Sequence, residues 1–166
     1  GKMKSREGTV VDADDLLDTM VSKATDMGQS LGKADTMSKA EALTMYNAVA
    51  HGALNYWVLR VDASKNMMFD PEESIAFTGN TGPFIQYTYA RIQSLLRKST
   101  ASDIDYKDVV ILDKERELIY LLANYQEVLY DAVDTTNPSL LANYLYNIVK
   151  IYNGYYQETP ILSSHD

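Results

Sequence analysis

Residues 80–98 run Asn-Thr-Gly-Pro-Phe-Ile-Gln-Tyr-Thr-Tyr-Ala-Arg-Ile-Gln-Ser-Leu-Leu-Arg-Lys and leave the middle of the chain little choice but a helix. Gly82-Pro83 breaks whatever precedes it. Proline fits a helix's first turn because the N–H it lacks has no partner there. Ile85, Tyr89, Ile92 and Leu96 then recur at steps of four, three and four, an apolar stripe at helical period. Gln86, Arg91, Gln93, Ser94 and Lys98 fall on the other side. A mid-chain helix with one apolar stripe requires neighbours from both flanks, so the pattern predicts a bundle built around it.

The flanks supply those neighbours. Asp12 has the position of an N-cap, with Asp15 three residues on. Leu16, Met20 and Met27, with Leu17, Val21 and Ala24, predict an amphipathic helix over residues 13–27. Its acids Asp14, Asp15 and Asp18 suit the positive end of a helix dipole. Ser38 and Glu41 form a capping box, and the helix they open reaches about Arg60 with Leu43, Ala50, Leu54 and Val58 on one face. Gly52 inside it costs ~1 kcal/mol relative to alanine, which implies close packing against another backbone. Asp70-Pro71 opens a short helix ending near Phe77. Leu118, Leu122, Tyr125 and Leu129 predict one helix over residues 114–131. Asn137-Pro138 caps the last, with Leu141, Tyr144, Ile148, Ile151 and Tyr155 on its apolar face and Pro160 beyond its end. The expected fold is all-α, a bundle of about five or six helices.

Composition narrows the chemistry. There is no cysteine, so no disulfide, thiol nucleophile or thiolate-held metal. His51 and His165 are the only imidazoles, too few for a histidine-based metal site, and the expectation is no metal ligands. No apolar run approaches the ~20 residues of a membrane helix, and a soluble, cytoplasmic protein is expected. A net charge of −8 argues against a general nucleic-acid binder. An RNA reader with this balance depends on local cations and on stacking. Thirteen tyrosines are available, five of them between Tyr144 and Tyr156. Tyr152 and Tyr156 lie four apart, on one helical face, with Asn153 beside them. Such a face stacks unpaired bases at ~1–3 kcal/mol each, or fills a core with its hydroxyls at the surface. The residues alone leave a tyrosine-rich, non-catalytic protein-interaction module open as an alternative.

The segment 80–92 resembles the opening of the anticodon-binding helical domain of arginyl-tRNA synthetases. Gly52-Ala53-Leu54-Asn55-Tyr56 is similar to the Asp-Ala-Leu-Arg-Tyr signature of that domain, with Asn55 in place of the arginine. Asn-Pro-Ser-Leu-Leu-Ala-Asn-Tyr-Leu-Tyr, residues 137–146, resembles its penultimate helix. At the other end, Lys2-Met3-Lys4-Ser5-Arg6 resembles the Lys-Met-Ser-Lys-Ser loop of class I aminoacyl-tRNA synthetases. Lys4 stands where that motif has serine, and Ser5 where it has the second lysine.

The resemblance implies a helix bundle of the class I anticodon-binding type. It implies a parent protein that activates arginine with ATP and Mg²⁺ and transfers it to the 3′ end of tRNA(Arg). Lys2, Lys4 and Arg6, with Met3, would meet the ATP phosphates as charge develops there, and Ser5 would orient the loop. Tyr152, Tyr156 and Asn153, with Gln86 and Arg91, would contact RNA. Residues 1–37 would be the signature loop and a connector helix, and 38–166 the anticodon-binding bundle without the family's last helix. The chain then reads as a piece of an enzyme, inactive alone, monomeric, with no DNA or membrane partner.

Overall fold

Four helix starts are made by the side chains that mark them in the sequence. Asp12 Oδ1 accepts from the N–H of Asp14 at 2.9 Å. Ser38 and Glu41 close their box, with Ser38 N–H donating to Glu41 Oε2 at 2.9 Å and Glu41 N–H to Ser38 Oγ at 3.3 Å. Asp70 Oδ1 accepts from Glu72 and Glu73 N–H at 2.9 and 3.1 Å, and Asn137 Oδ1 from Ser139 N–H at 3.1 Å. Each bond satisfies an N–H that the helix itself leaves unpaired, worth ~1 kcal/mol.

This computed structural model describes residues 11–30, 32, 36–99 and 110–162. The described residues form seven helices and no strand. They are α1 (Ala13–Ser30), α2 (Lys39–Leu59), α3 (Pro71–Ile75), α4 (Gly82–Lys98), α5 (Asp113–Ala123), α6 (Tyr125–Asp134) and α7 (Pro138–Glu158). No helix among them is long and apolar enough to cross a membrane. By packing they divide into two compact units: residues up to Val58 with Met68–Pro83, and Leu59–Met67 with the residues from Phe84 onward.

In the first unit Met20 and Ala24 of α1, Tyr46, Ala50 and Ala53 of α2 and Ile75 of α3 make the core, with Phe69 packed against it. Trp57 is anchored by its indole N–H, which donates to Met68 O at 3.1 Å, and meets Phe69 edge-on. The close approach expected at Gly52 is present. A Cβ added to Gly82 would fall 2.1 Å from the Gly52 carbonyl oxygen, so the start of α4 lies directly on the backbone of α2. The face expected of α2 holds at Ala50, which is fully buried, and at half-buried Leu54, and is corrected at its ends. Leu43 and Val58 are exposed, while Tyr46, Tyr56 and Trp57 are buried. This helix is apolar nearly all round, so its periodicity does not select a side.

The second unit corrects two more expectations. The predicted stripe of α4 holds only in part: Ile85 and Ile92 are half-buried, but Tyr89 and Leu96 are 65% and 63% exposed, and Thr88 is fully buried. The one fully buried side chain within the second unit's part of α4 is Thr88, which accepts from Asn153 of α7 at 2.7 Å. The single helix expected over residues 114–131 is two, broken at Asn124. The Tyr144 hydroxyl donates to Leu121 O at 2.7 Å, taking the carbonyl that Tyr125 N–H would use in a continuous helix. Asn124 N–H is shared between Tyr120 O at 3.2 Å and Leu121 O at 3.1 Å, a tightened last turn. Accordingly Leu122, Tyr125 and Leu129 lie at the surface, and Ala132 is buried. On α7 the expected face holds in the main. Tyr144 is buried and Leu141, Ile148, Ile151 and Tyr155 are half-buried, with Ala142, Val149 and Asn153 deeper than foreseen.

Candidate nucleic-acid interface

Within the second unit, α4 and α7 bring Arg91, Asn153, Tyr152 and Tyr156 together. Arg91 sits one helical turn after Tyr87, and its Nη2 donates to the Tyr87 hydroxyl at 3.0 Å. Its guanidinium carbon lies 4.8 Å from the Tyr87 ring centre and 4.4 Å from that of Tyr156. Both distances are within cation–π range. Arg91 Nη1 donates to Asn153 Oδ1. Tyr152 and Tyr156 are both half-buried, with ring centres 6.3 Å apart and planes inclined by 37°. Burial pushes the Tyr152 hydroxyl above its ordinary range, and the Arg91 charge pulls it back.

Beside this cluster runs an open groove of about 560 Å³. Its floor is α4 from Tyr87 to Lys98, and its rim is Tyr156 with residues 159–162. Arg91 and Lys98 give it positive charge, and no carboxylate is among the described residues that line it. A local cationic and aromatic surface therefore exists on a chain of net charge −8.

A brace next to the groove holds α7 to α5. The Tyr155 hydroxyl donates to Glu115 Oε1 at 2.6 Å, and Lys114 pairs with Glu158. The Glu115 bond lifts the Tyr155 pKa to about 12. The same bond, with one from Leu112 N–H, holds the Glu115 carboxyl below the usual range.

Of the residues expected to meet RNA, Tyr156 and Arg91 line the groove, and Tyr152 lies beside Tyr156 without lining it. Gln86 is half-buried on α4 and does not line the groove. Asn153 is buried, 6% exposed, with its amide turned inward. The sequence does not by itself mark Tyr87 or Thr88. The four-residue spacing of Tyr87 and Arg91 was the available signal for the first, and nothing local marks the second. Lys2, Met3, Lys4, Ser5 and Arg6 lie outside the described residues.

The class of domain comes from the comparisons: it is a helical anticodon-binding domain. The DALR anticodon binding domain matches residues 85–166. The match begins after the Gly52–Tyr56 segment, which lies outside it. Along its whole length the chain is 51% identical to an arginine–tRNA ligase of Flavobacterium psychrophilum, and over 98% of its length 52% identical to that of Bacteroides thetaiotaomicron. It spans 28% of the length of these curated relatives. Among solved structures, Thermus thermophilus arginyl-tRNA synthetase matches 96% of the chain and 27% of its own, with a TM-score of 0.84 at 26% identity. The Plasmodium falciparum synthetase covers 93% of the chain and 28% of its own, with a TM-score of 0.78; at 21% identity it shows the fold alone. The chain belongs to the arginyl-tRNA synthetase family and corresponds to the C-terminal part of its members.

Proposed function

We propose that this chain supplies the anticodon-binding part of an arginine–tRNA ligase. The observation that carries the reading is the stack of Tyr87, Arg91 and Tyr156 beside Tyr152, within the residues that match the anticodon-binding family. Unpaired anticodon bases offer π-faces to such a surface, and Arg91 and Lys98 offer charge to the adjoining phosphates. The partner is tRNA(Arg). Residues 1–37 act as the signature loop and connector, and residues 38–166 as the bundle that holds the anticodon.

The whole enzyme, in this reading, is a cytoplasmic monomer. It joins arginine to the α-phosphate of ATP, releasing pyrophosphate, and passes the arginyl group to tRNA(Arg), releasing AMP. Lys2, Lys4 and Arg6 meet the ATP phosphates there, and ATP is held with Mg²⁺. Alone, the chain gives ATP–pyrophosphate exchange no faster than background, and a measured rate above it contradicts this assignment.

A mobility-shift measurement with tRNA(Arg) and an unrelated tRNA, at low and moderate salt, tests the binding. Preference for tRNA(Arg) that falls about 5- to 100-fold in Tyr156→Ala, and similarly in Tyr152→Ala, is expected from the loss of a stacking face. Equal binding to both RNAs overturns the reading in favour of a helical protein-interaction module.

A further inference from the structure

The hydrogen bonds around Asn153 leave no choice in its orientation. Thr88 Oγ donates to Phe84 O at 2.8 Å, which commits its proton. Thr88 Oγ can then only accept, and it accepts from Asn153 Nδ2 at 2.7 Å. The second Nδ2 proton goes to Val149 O, also at 2.7 Å. Asn153 Oδ1 faces Arg91 Nη1, and arginine has no acceptor, so the carbonyl end of the amide must be there. Both amide protons are spent inside the protein, and the residue is 6% exposed. No donor on Asn153 is left with which to read a base, and burial keeps its carbonyl from solvent. Thr88, itself fully buried, fixes Asn153, and Asn153 in turn fixes the guanidinium.

We propose that Asn153 is a positioning residue: with Thr88 it holds the Arg91 guanidinium between the Tyr87 and Tyr156 rings, and it acts on RNA only through Arg91. This rests on the anticodon-binding reading above for its consequence, though not for its geometry. A free arginine samples many rotamers and must be ordered when RNA binds. Here the ordering is completed on folding, so less is lost at the moment of binding.

The test combines RNA binding with side-chain NMR on the whole chain. Arg91→Ala is expected to weaken tRNA(Arg) binding about 10-fold, the scale of one charge-assisted contact. Asn153→Ala is expected to weaken it by about the same factor, and by less than about twofold when added to Arg91→Ala. Asn153→Asp keeps the acceptor for Arg91 while losing both donors. It is expected to hold Arg91 as an ion pair but to weaken tRNA(Arg) binding several-fold, because the carboxylate offsets the guanidinium charge, and its unfolding midpoint falls with the Thr88 bond lost. In a ¹⁵N-labelled sample, the Arg91 Nη resonances are expected to be resolved in the unsubstituted chain and in Asn153→Asp, and averaged in Asn153→Ala. Circular dichroism checks that each variant is helical.

An Asn153→Ala loss that is equally large in the Arg91→Ala background overturns the proposal, because Asn153 then acts on its own. Averaged Arg91 resonances in the unsubstituted chain also overturn it. If the unsubstituted chain shows no preference for tRNA(Arg), the anticodon reading fails. The resonances still decide whether Asn153 positions Arg91.

Discussion

Tyr155 and Glu115 tie the end of α7 to the start of α5 through one short hydrogen bond, and the bond shifts both partners in opposite directions. Glu115 is more acidic folded than unfolded. Its contribution to stability is present above the unfolded value of about 4.3 and is lost as pH falls through the lower folded value. Tyr155 holds its proton to about 12 in the fold, against about 10 in an open chain. Its contribution is full below about pH 10 and is lost as pH rises toward 12. Tyr155→Phe is therefore expected to lower stability by about 1 kcal/mol near neutral pH. The difference from the unsubstituted chain should shrink at both pH extremes. Urea unfolding at a series of pH values measures it, and a pH-independent difference would show that the bond does not contribute. The sequence shows Tyr155 only as one more aromatic on an apolar face. Its partner lies 40 residues away, and no local pattern pairs them. Asn153 is similar: its type and place are legible, but its inward amide depends on Thr88, 65 residues earlier.

Helix starts behave differently, because their causes are local. Asp12, Ser38 with Glu41, Asp70 with Pro71, and Asn137 with Pro138 announce themselves within a few residues, and each caps as its spacing says. The break at Asn124 is not legible in the sequence, since the Tyr144 hydroxyl that bonds Leu121 O there comes from another helix. Two glycines sharpen the contrast. At Gly82 a Cβ would meet the Gly52 backbone at 2.1 Å, and backbone cannot swing aside. Gly82→Ala is expected to cost about 1–3 kcal/mol. At Gly154 the nearest atom is the tip of Lys114, at an ordinary 3.5 Å. Gly154→Ala is expected to gain about 0.5–1 kcal/mol from helix propensity alone. Thermal unfolding of the pair gives opposite shifts in midpoint; shifts of the same sign would refute the close approach at Gly82.

For the molecule as a whole, charge sets how RNA binding must respond to salt. At −8 the chain repels RNA overall, so affinity comes from stacking and a few local cations. The groove presents two, Arg91 and Lys98. Two phosphate contacts to a single strand correspond to a slope of log affinity against log salt of about −1.4. Lys98→Ala is expected to reduce that slope by about 0.7 while leaving the preference for tRNA(Arg) intact. A slope steeper than about −4 would place the main contacts on cations elsewhere in the chain.

The sequence by itself determined that the chain is helical, where its capped helices begin, that Gly52 meets another backbone, and which family the chain joins. Those properties are written in neighbouring residues or in long matched segments. The tertiary structure decided which face of α2 and α4 turns inward, where the long helix after residue 113 breaks, and that Asn153 points at Arg91 instead of outward. Each of these is settled by a partner tens of residues distant. Burying a polar side chain such as Asn153 is costly unless a partner like these satisfies it.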